Sequence, residues 1–173
     1  MLKILLIVFF ISMVPLVELR GAIPVGVALF SRAFLQGGQA VPAKYIILIN
    51  LAAMLGNMVP VPFIYLFARK FLEWGKDKKF IGRACEFFLV KGKRGGEKLE
   101  QKAGRGLFVA LLLFIGIPLP GTGAWTGTLA ASLLDMNFKK TVAAVIGGVF
   151  VAAVIMTLAS CGVLGAVGAL FCK

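Results

Sequence analysis

Histidine is absent from this 173-residue chain, and acids are scarce: 7 Asp and Glu stand against 19 Lys and Arg. The first absence removes serine–histidine catalysis, histidine metal sites and histidine proton relays. The second leaves few carboxylates for acid–base work or cation binding. Five of the seven acids fall between Arg69 and Arg105, so Glu18 and Asp135 are the only others. Membrane hydrolases and transferases need clustered acids, histidines or an activated nucleophile, and an enzyme is the reading this composition supports least. The three cysteines, Cys85, Cys161 and Cys172, have no metal-site spacing, and an odd count completes no disulfide framework. No metal and no cofactor is therefore expected. The first 17 residues carry Lys3 and an apolar run, as a signal peptide would, but no small-x-small cleavage pattern follows them. They read as a retained membrane segment.

What the chain has in abundance is apolar surface. It is 60% hydrophobic with a mean hydropathy of +0.98, well beyond a water-soluble domain. The reading is an all-α integral membrane protein. The net charge of +12 is concentrated. Twelve of the basic residues lie in Arg69–Arg105, which is net +7 after its five acids. Basic loops sit on the cytoplasmic side of a membrane, and an anionic leaflet accounts for their charge without nucleic acid. Multi-pass insertion in the inner or plasma membrane follows, with residues 69–105 cytoplasmic. In that stretch Phe71, Leu72, Trp74, Phe80, Ile81, Phe87, Phe88 and Leu89 alternate with Lys and Arg, the composition of an amphipathic linker lying on the membrane face.

The apolar runs divide into two halves on one plan. Residues 1–68 hold a broken pair over 2–35 and a long helix over 45–68, with a kink or unwinding expected at Pro60 and Pro62. Residues 106–173 hold a broken pair over 106–134, a helix over 141–161 and a short C-terminal segment. The paired segments, at 11–16 residues, are roughly 17–24 Å long as helix, short of the ~30 Å hydrocarbon core. They suit re-entrant hairpins that dip in and return to the same side. Each half then crosses the membrane an odd number of times, so with 69–105 inside the halves form an inverted repeat, their hairpins entering from opposite faces. Broken backbone at membrane depth is tolerated only in protein or beside a wet cavity.

Each broken pair carries a Pro/Gly interruption. The first is Glu18-Leu19-Arg20-Gly21-Ala22-Ile23-Pro24-Val25-Gly26, and the second is Gly116-Ile117-Pro118-Leu119-Pro120-Gly121-Thr122-Gly123. Interruptions at corresponding positions of two halves point to a transporter's binding site. Pro24, Gly26, Pro118, Pro120, Gly121, Thr122 and Gly123 are expected to shape the tips, with Thr122 or Thr126 capping the following half-helix. An ionisable residue inside a membrane segment is a functional candidate by default. Glu18, whose protonated form apolar surroundings would favour, is the candidate proton carrier. Arg20, a permanent cation with a planar fork, is its partner or an anion site. The bland alternative is a pair of loop charges in water. Trp125 suits either a substrate face or an interfacial anchor. Asn50 and Asn57, seven apart on one helix face, suit either a substrate path or interhelical hydrogen bonding.

These residues resemble two related families. Over nearly its whole length the chain is similar to the small multidrug export proteins, in the early Glu-Leu-Arg-Gly-Ala-Ile-Pro, the basic middle and the later Pro-Leu-Pro-Gly-Thr-Gly. More distantly it resembles the DedA superfamily of VTT-domain proteins, where Glu18 with Pro24 matches the first tip and Pro120 with Gly121 the second. That resemblance implies facing re-entrant hairpins and proton-driven work on drugs, or translocation of phospholipid or undecaprenyl phosphate. The chain departs from the DedA pattern after the second Pro-Gly, where Thr122-Gly123-Ala124 replaces the usual arginine.

The expectation is a small transporter exporting small molecules in exchange for protons, with membrane lipids around it. The alternatives are a lipid translocase of the same fold and a non-transporting membrane scaffold. So small a transporter also suits a homodimer.

Overall fold

The computed structural model describes residues 1–35, 41–75, 106–119 and 121–171. Residues 76–105 of the expected basic linker, the loop residues 36–40 and Pro120 lie outside the described residues. Seven helices follow in order: α1 (Leu2–Met13), α2 (Glu18–Phe34), α3 (Ala43–Met58), α4 (Pro60–Gly75), α5 (Gly106–Gly116), α6 (Ala124–Leu133) and α7 (Phe138–Phe171). No strand occurs among the described residues. Two stretches, Ala43–Ala68 and Phe138–Gly162, are long and apolar enough to cross a membrane. Leu2–Met13 and Gly106–Gly116 are shorter apolar helices.

Prolines set several of these boundaries. The residue before a proline is pushed toward extended backbone, and Val14, ahead of Pro15, has φ −73° and ψ 128°. Pro15 therefore ends α1 and places the first chain reversal at residues 14–17. Pro24 and Gly26, expected at that reversal, lie inside α2 instead. Pro24 lacks the amide that would bond the Arg20 carbonyl, but its neighbours Ile23 and Val27 are buried and hold the helix through it. Pro60 and Pro62 act in the expected way. Helix α3 stops at Met58, and Pro60 opens α4, where a missing amide is harmless. Val59 between them keeps helical angles, φ −57° and ψ −47°. The first long helix continues to Gly75, seven residues past the expected end. Helix α7 likewise runs to Phe171 without a break at its glycines.

The chain forms two compact units. One contains residues 1–59 and 149–173, the other residues 60–148. In the first, α1 buries Ile4, Val8 and Ser12 in one stripe. Helix α2 buries positions 18, 19, 22, 23, 26, 27 and 30, and α3 buries Ile49, Ala53, Gly56 and Asn57. The packing is close. A Cβ at Gly56 would lie 2.2 Å from the Phe9 carbonyl oxygen, and one at Gly26 would meet Val8 and Ile49. The hydroxyl of Ser12 donates to the Ala53 carbonyl at 2.5 Å.

In the second unit α5 buries Leu111, Ile115 and Gly116, and α6 buries Ala124, Gly127, Thr128, Ala131 and Ser132. A Cβ at Gly148 would lie 2.8 Å from the Leu112 carbonyl oxygen. Ser132 donates to the Tyr65 carbonyl at 3.0 Å, and the Tyr65 hydroxyl donates to the Met136 carbonyl at 2.5 Å. Asn137 caps α7, its Oδ1 accepting from the Lys139 amide at 2.9 Å.

Large side chains cover the surface. Leu55, Phe63, Leu66, Phe67, Phe150 and Leu158 are all exposed. In water this would be a costly apolar exterior; in a bilayer it is the solvated face.

Candidate functional site

The first reversal is built from residues that rarely adopt its backbone. Leu16 has φ 70° and Glu18 φ 50°, left-handed values that cost an L-residue roughly 1–2 kcal/mol. Leu16 is exposed, while Glu18 is only 4% exposed. The Glu18 amide donates to the Val14 carbonyl at 3.0 Å, closing the turn. Glu18 is also the first residue of α2, where the helix's positive end favours a carboxylate. Its charge acts electrostatically on Arg20, which is half-buried. The sequence singled out these two residues, and the structure places them in the first turn of α2. It placed the tip at Pro24, nine residues after Pro15, where the chain reverses.

The second reversal spans residues 117–123. It also has two left-handed residues two apart, Gly121 at φ 83° and Gly123 at φ 148°. Glycine carries these angles without steric cost. The Leu119 amide donates to Ile117 at 2.8 Å and the Thr122 amide to Leu119 at 3.2 Å. The expected capping role of Thr122 and Thr126 is not found: α6 has no side-chain cap bond. Thr122 Oγ1 instead donates back to the Ile117 and Leu119 carbonyls, each at 2.9 Å. Thr126 Oγ1 lies 3.5 Å from the Gly123 carbonyl. Pro118 lies in this reversal, and Trp125 is half-buried on the first turn of α6.

The two asparagines separate. Asn50 donates to the Ile46 carbonyl at 2.9 Å and accepts from Thr157 Oγ1 at 3.0 Å, the interhelical role. It also borders an apolar cavity of about 330 Å³ with Ile46, Leu51, Met54, Phe150 and Val154. Asn57 is fully buried, and neither its amide nitrogen nor its oxygen has a hydrogen-bond partner. Thr128 Oγ1 on α6 is buried in the same condition. Sequence reasoning passed over Ser12, Tyr65, Thr128 and Ser132. A buried serine or tyrosine in an apolar run carries no periodic signal, since small and aromatic residues also populate membrane helices.

The family model described as "Putative small multi-drug export protein" matches residues 18–155. The chain belongs to that family. Its match begins at Glu18, the first residue of α2. No curated protein and no solved structure matches the chain. Family and apolar helices together point to a membrane protein, and the family to an exporter rather than an enzyme.

Proposed function

We propose that this protein is a small transporter of the inner membrane that exports small molecules in exchange for protons, with Glu18 as the proton carrier. The observation that carries the reading is Glu18 itself, a carboxylate 4% exposed in left-handed backbone at the turn between two apolar helices. Strained backbone and a buried carboxylate together are features of a functional position. Arg20 is its ionic partner. When Glu18 takes a proton, Arg20 is released to an anion or to the substrate; when Glu18 loses it, the pair re-forms.

The scaffold for this function is an inverted repeat of two re-entrant hairpins, each followed by a transmembrane helix. Helices α1, α5 and α6 have 12, 11 and 10 residues, roughly 15–18 Å at 1.5 Å per residue, too short to span. The halves share a register. Buried positions 18, 19, 22, 23, 26 and 27 correspond to buried 123, 124, 127, 128, 131 and 132, each 105 apart. On the long helices, buried 49, 53, 56, 57, 60 and 61 correspond to 141, 145, 148, 149, 152 and 153, each 92 apart. Within each unit, an early stretch of one long helix meets a late stretch of the other: Asn50 with Thr157, Phe138 with Tyr65. Inverted halves satisfy this. The basic stretch 69–105 lies in the cytoplasm.

The test uses sealed proteoliposomes with an imposed pH gradient, following a cationic dye and a fluorescent anionic lipid in parallel. Dye flux that requires the gradient and is lost in Glu18→Gln is the expected result. Full dye flux in Glu18→Gln would sink the proton-carrier role. A second reading, translocation of anionic lipid, is favoured by the +7 stretch at 69–105, which would gather anionic headgroups. Lipid movement without dye flux would select it. Silence of both probes would favour a scaffold.

A further inference from the structure

The first long helix carries a polar cluster that its counterpart lacks. Pro60 has no amide hydrogen, so the Gly56 carbonyl is left without its helical donor at position i+4. Beside it on the helix, Asn57 is fully buried with both side-chain polar atoms unpartnered. One turn back on the same face, the Ala53 carbonyl accepts from Ser12 Oγ, and Ser12 is itself fully buried. The serine oxygen keeps lone pairs after donating. Gly56, Asn57 and the Ala53 carbonyl that holds Ser12 thus fall within about one turn of the buried face of α3. Asn57 stands within two residues of the centre of the 26-residue span Ala43–Ala68, about 2 Å from its midpoint at 1.5 Å per residue.

Packing does not call for these groups. In α7 the positions of the same buried register are Gly148, Val149 and Ala152 in place of Gly56, Asn57 and Pro60. Gly148 approaches the Leu112 carbonyl much as Gly56 approaches that of Phe9. Ile115, three residues after Leu112, stands where Ser12 stands three residues after Phe9. The second half solves the same packing problem with apolar side chains and an unbroken helix. A buried asparagine without partners is disfavoured, and backbone carbonyls freed from helix bonding at membrane depth are a recurring way of holding small cations.

We propose that Asn57, the Gly56 carbonyl and Ser12 form a binding site for a monovalent inorganic cation where Pro60 interrupts the hydrogen bonding between α3 and α4. The donors are neutral oxygens, which suit a hard monovalent ion such as Na⁺, Li⁺ or K⁺; a divalent ion draws on carboxylates. The site is separate from Glu18, and its readout is binding, so it stands or falls independently of proton-coupled export.

The experiment is thermal melting of the purified full chain in detergent at constant ionic strength, replacing choline chloride stepwise with NaCl, LiCl or KCl. A ligand that binds only the folded state raises the melting temperature with its concentration. The expected result is a rise with at least one of the three ions, absent in choline. Asn57→Val, which installs the residue found at position 149, is expected to melt in choline at or above wild type and to lose the response. Asn57→Asp is expected to bind the same ion at least ten-fold more tightly, read by displacement of radioactive sodium or rubidium. Should Asn57→Val not fold, Ser12→Ala replaces it, with a several-fold loss of affinity expected. A wild type that responds to none of the three ions, or an Asn57→Val protein that keeps the full response, would overturn the proposal.

Discussion

The two chain reversals enter their second helices through positive-φ backbone carried by different residues. Each has two left-handed residues two positions apart where the chain enters a helix, and the second does so with Gly121 and Gly123. The first uses Leu16 and Glu18, at a steric cost glycine avoids. Backbone geometry alone therefore asks for glycine at position 18, and the carboxylate stands there against that preference. The same contrast recurs on the long helices, where Asn57 and Pro60 stand at positions that Val149 and Ala152 fill in the other half. What these paired positions share is burial; what they do not share is the candidate chemistry.

The comparison breaks most severely at the shared positions. Gly56→Ala would drive a Cβ to 2.2 Å from a backbone oxygen of α1, a clash no rotamer relieves. Overpacking of a core costs about 1–3 kcal/mol where side chains can yield, and here only a helix shift can. We expect Gly56→Ala to lose most folded protein on size-exclusion chromatography. Gly148→Ala, at 2.8 Å from the Leu112 oxygen, should be milder. Gly147→Ala meets only the tip of Leu112 and should be milder again. A reversed order would show that the two halves do not pack alike.

The reversals give a sharper contrast. Gly123→Ala forces a side chain into backbone at φ 148° and should destabilise by about 1–3 kcal/mol. Glu18→Gly does the opposite at the corresponding position. It relieves roughly 1–2 kcal/mol of left-handed strain and adds about 0.5–1 kcal/mol of chain entropy cost, so the melting temperature should hold or rise slightly. Export activity should nonetheless disappear. A melting curve and a dye-efflux assay on the same preparation separate the outcomes. If Glu18→Gly unfolds the protein, the carboxylate is a structural group.

How much of this was legible in the sequence depends on what signals an element. The helical membrane class followed from apolar runs. Glu18 and Arg20 stood out because charge inside an apolar run is rare. The first turn was misplaced because two prolines nine residues apart both qualify as breakers, and only packing decides which one a helix absorbs. Ile23 and Val27, buried on either side of Pro24, decide it. Thr122 looked like a cap by spacing, yet Gly123 holds the N-cap position of α6, and the Thr122 hydroxyl donates to carbonyls inside its own turn. Asn57 was visible as a polar residue on a helix face, but its difference from Asn50 was not. That difference rests on one distant partner, Thr157, 107 residues along the chain.

The smallest expected effects come from the hydrogen bonds that tie the long helices within each unit. Tyr65→Phe removes the bond to the Met136 carbonyl, and Thr157→Val removes the bond to Asn50. Interhelical hydrogen bonds in membranes average about 0.6 kcal/mol. Tyr65 is buried, and its loss leaves a carbonyl short of a donor at the entry to α7, so about 1 kcal/mol is expected there. Thr157 is half-buried beside the apolar cavity, and the Asn50 amide keeps its bond to Ile46, so about 0.5 kcal/mol is expected. Neither residue belongs to a reversal, and neither variant should change the dependence of dye efflux on the pH gradient. If Thr157→Val altered that dependence while leaving the melting temperature in place, Asn50 would move from the shared scaffold to the functional set, and the division between packing and chemistry would have to be drawn inside the first long helix at Asn50 rather than at Asn57.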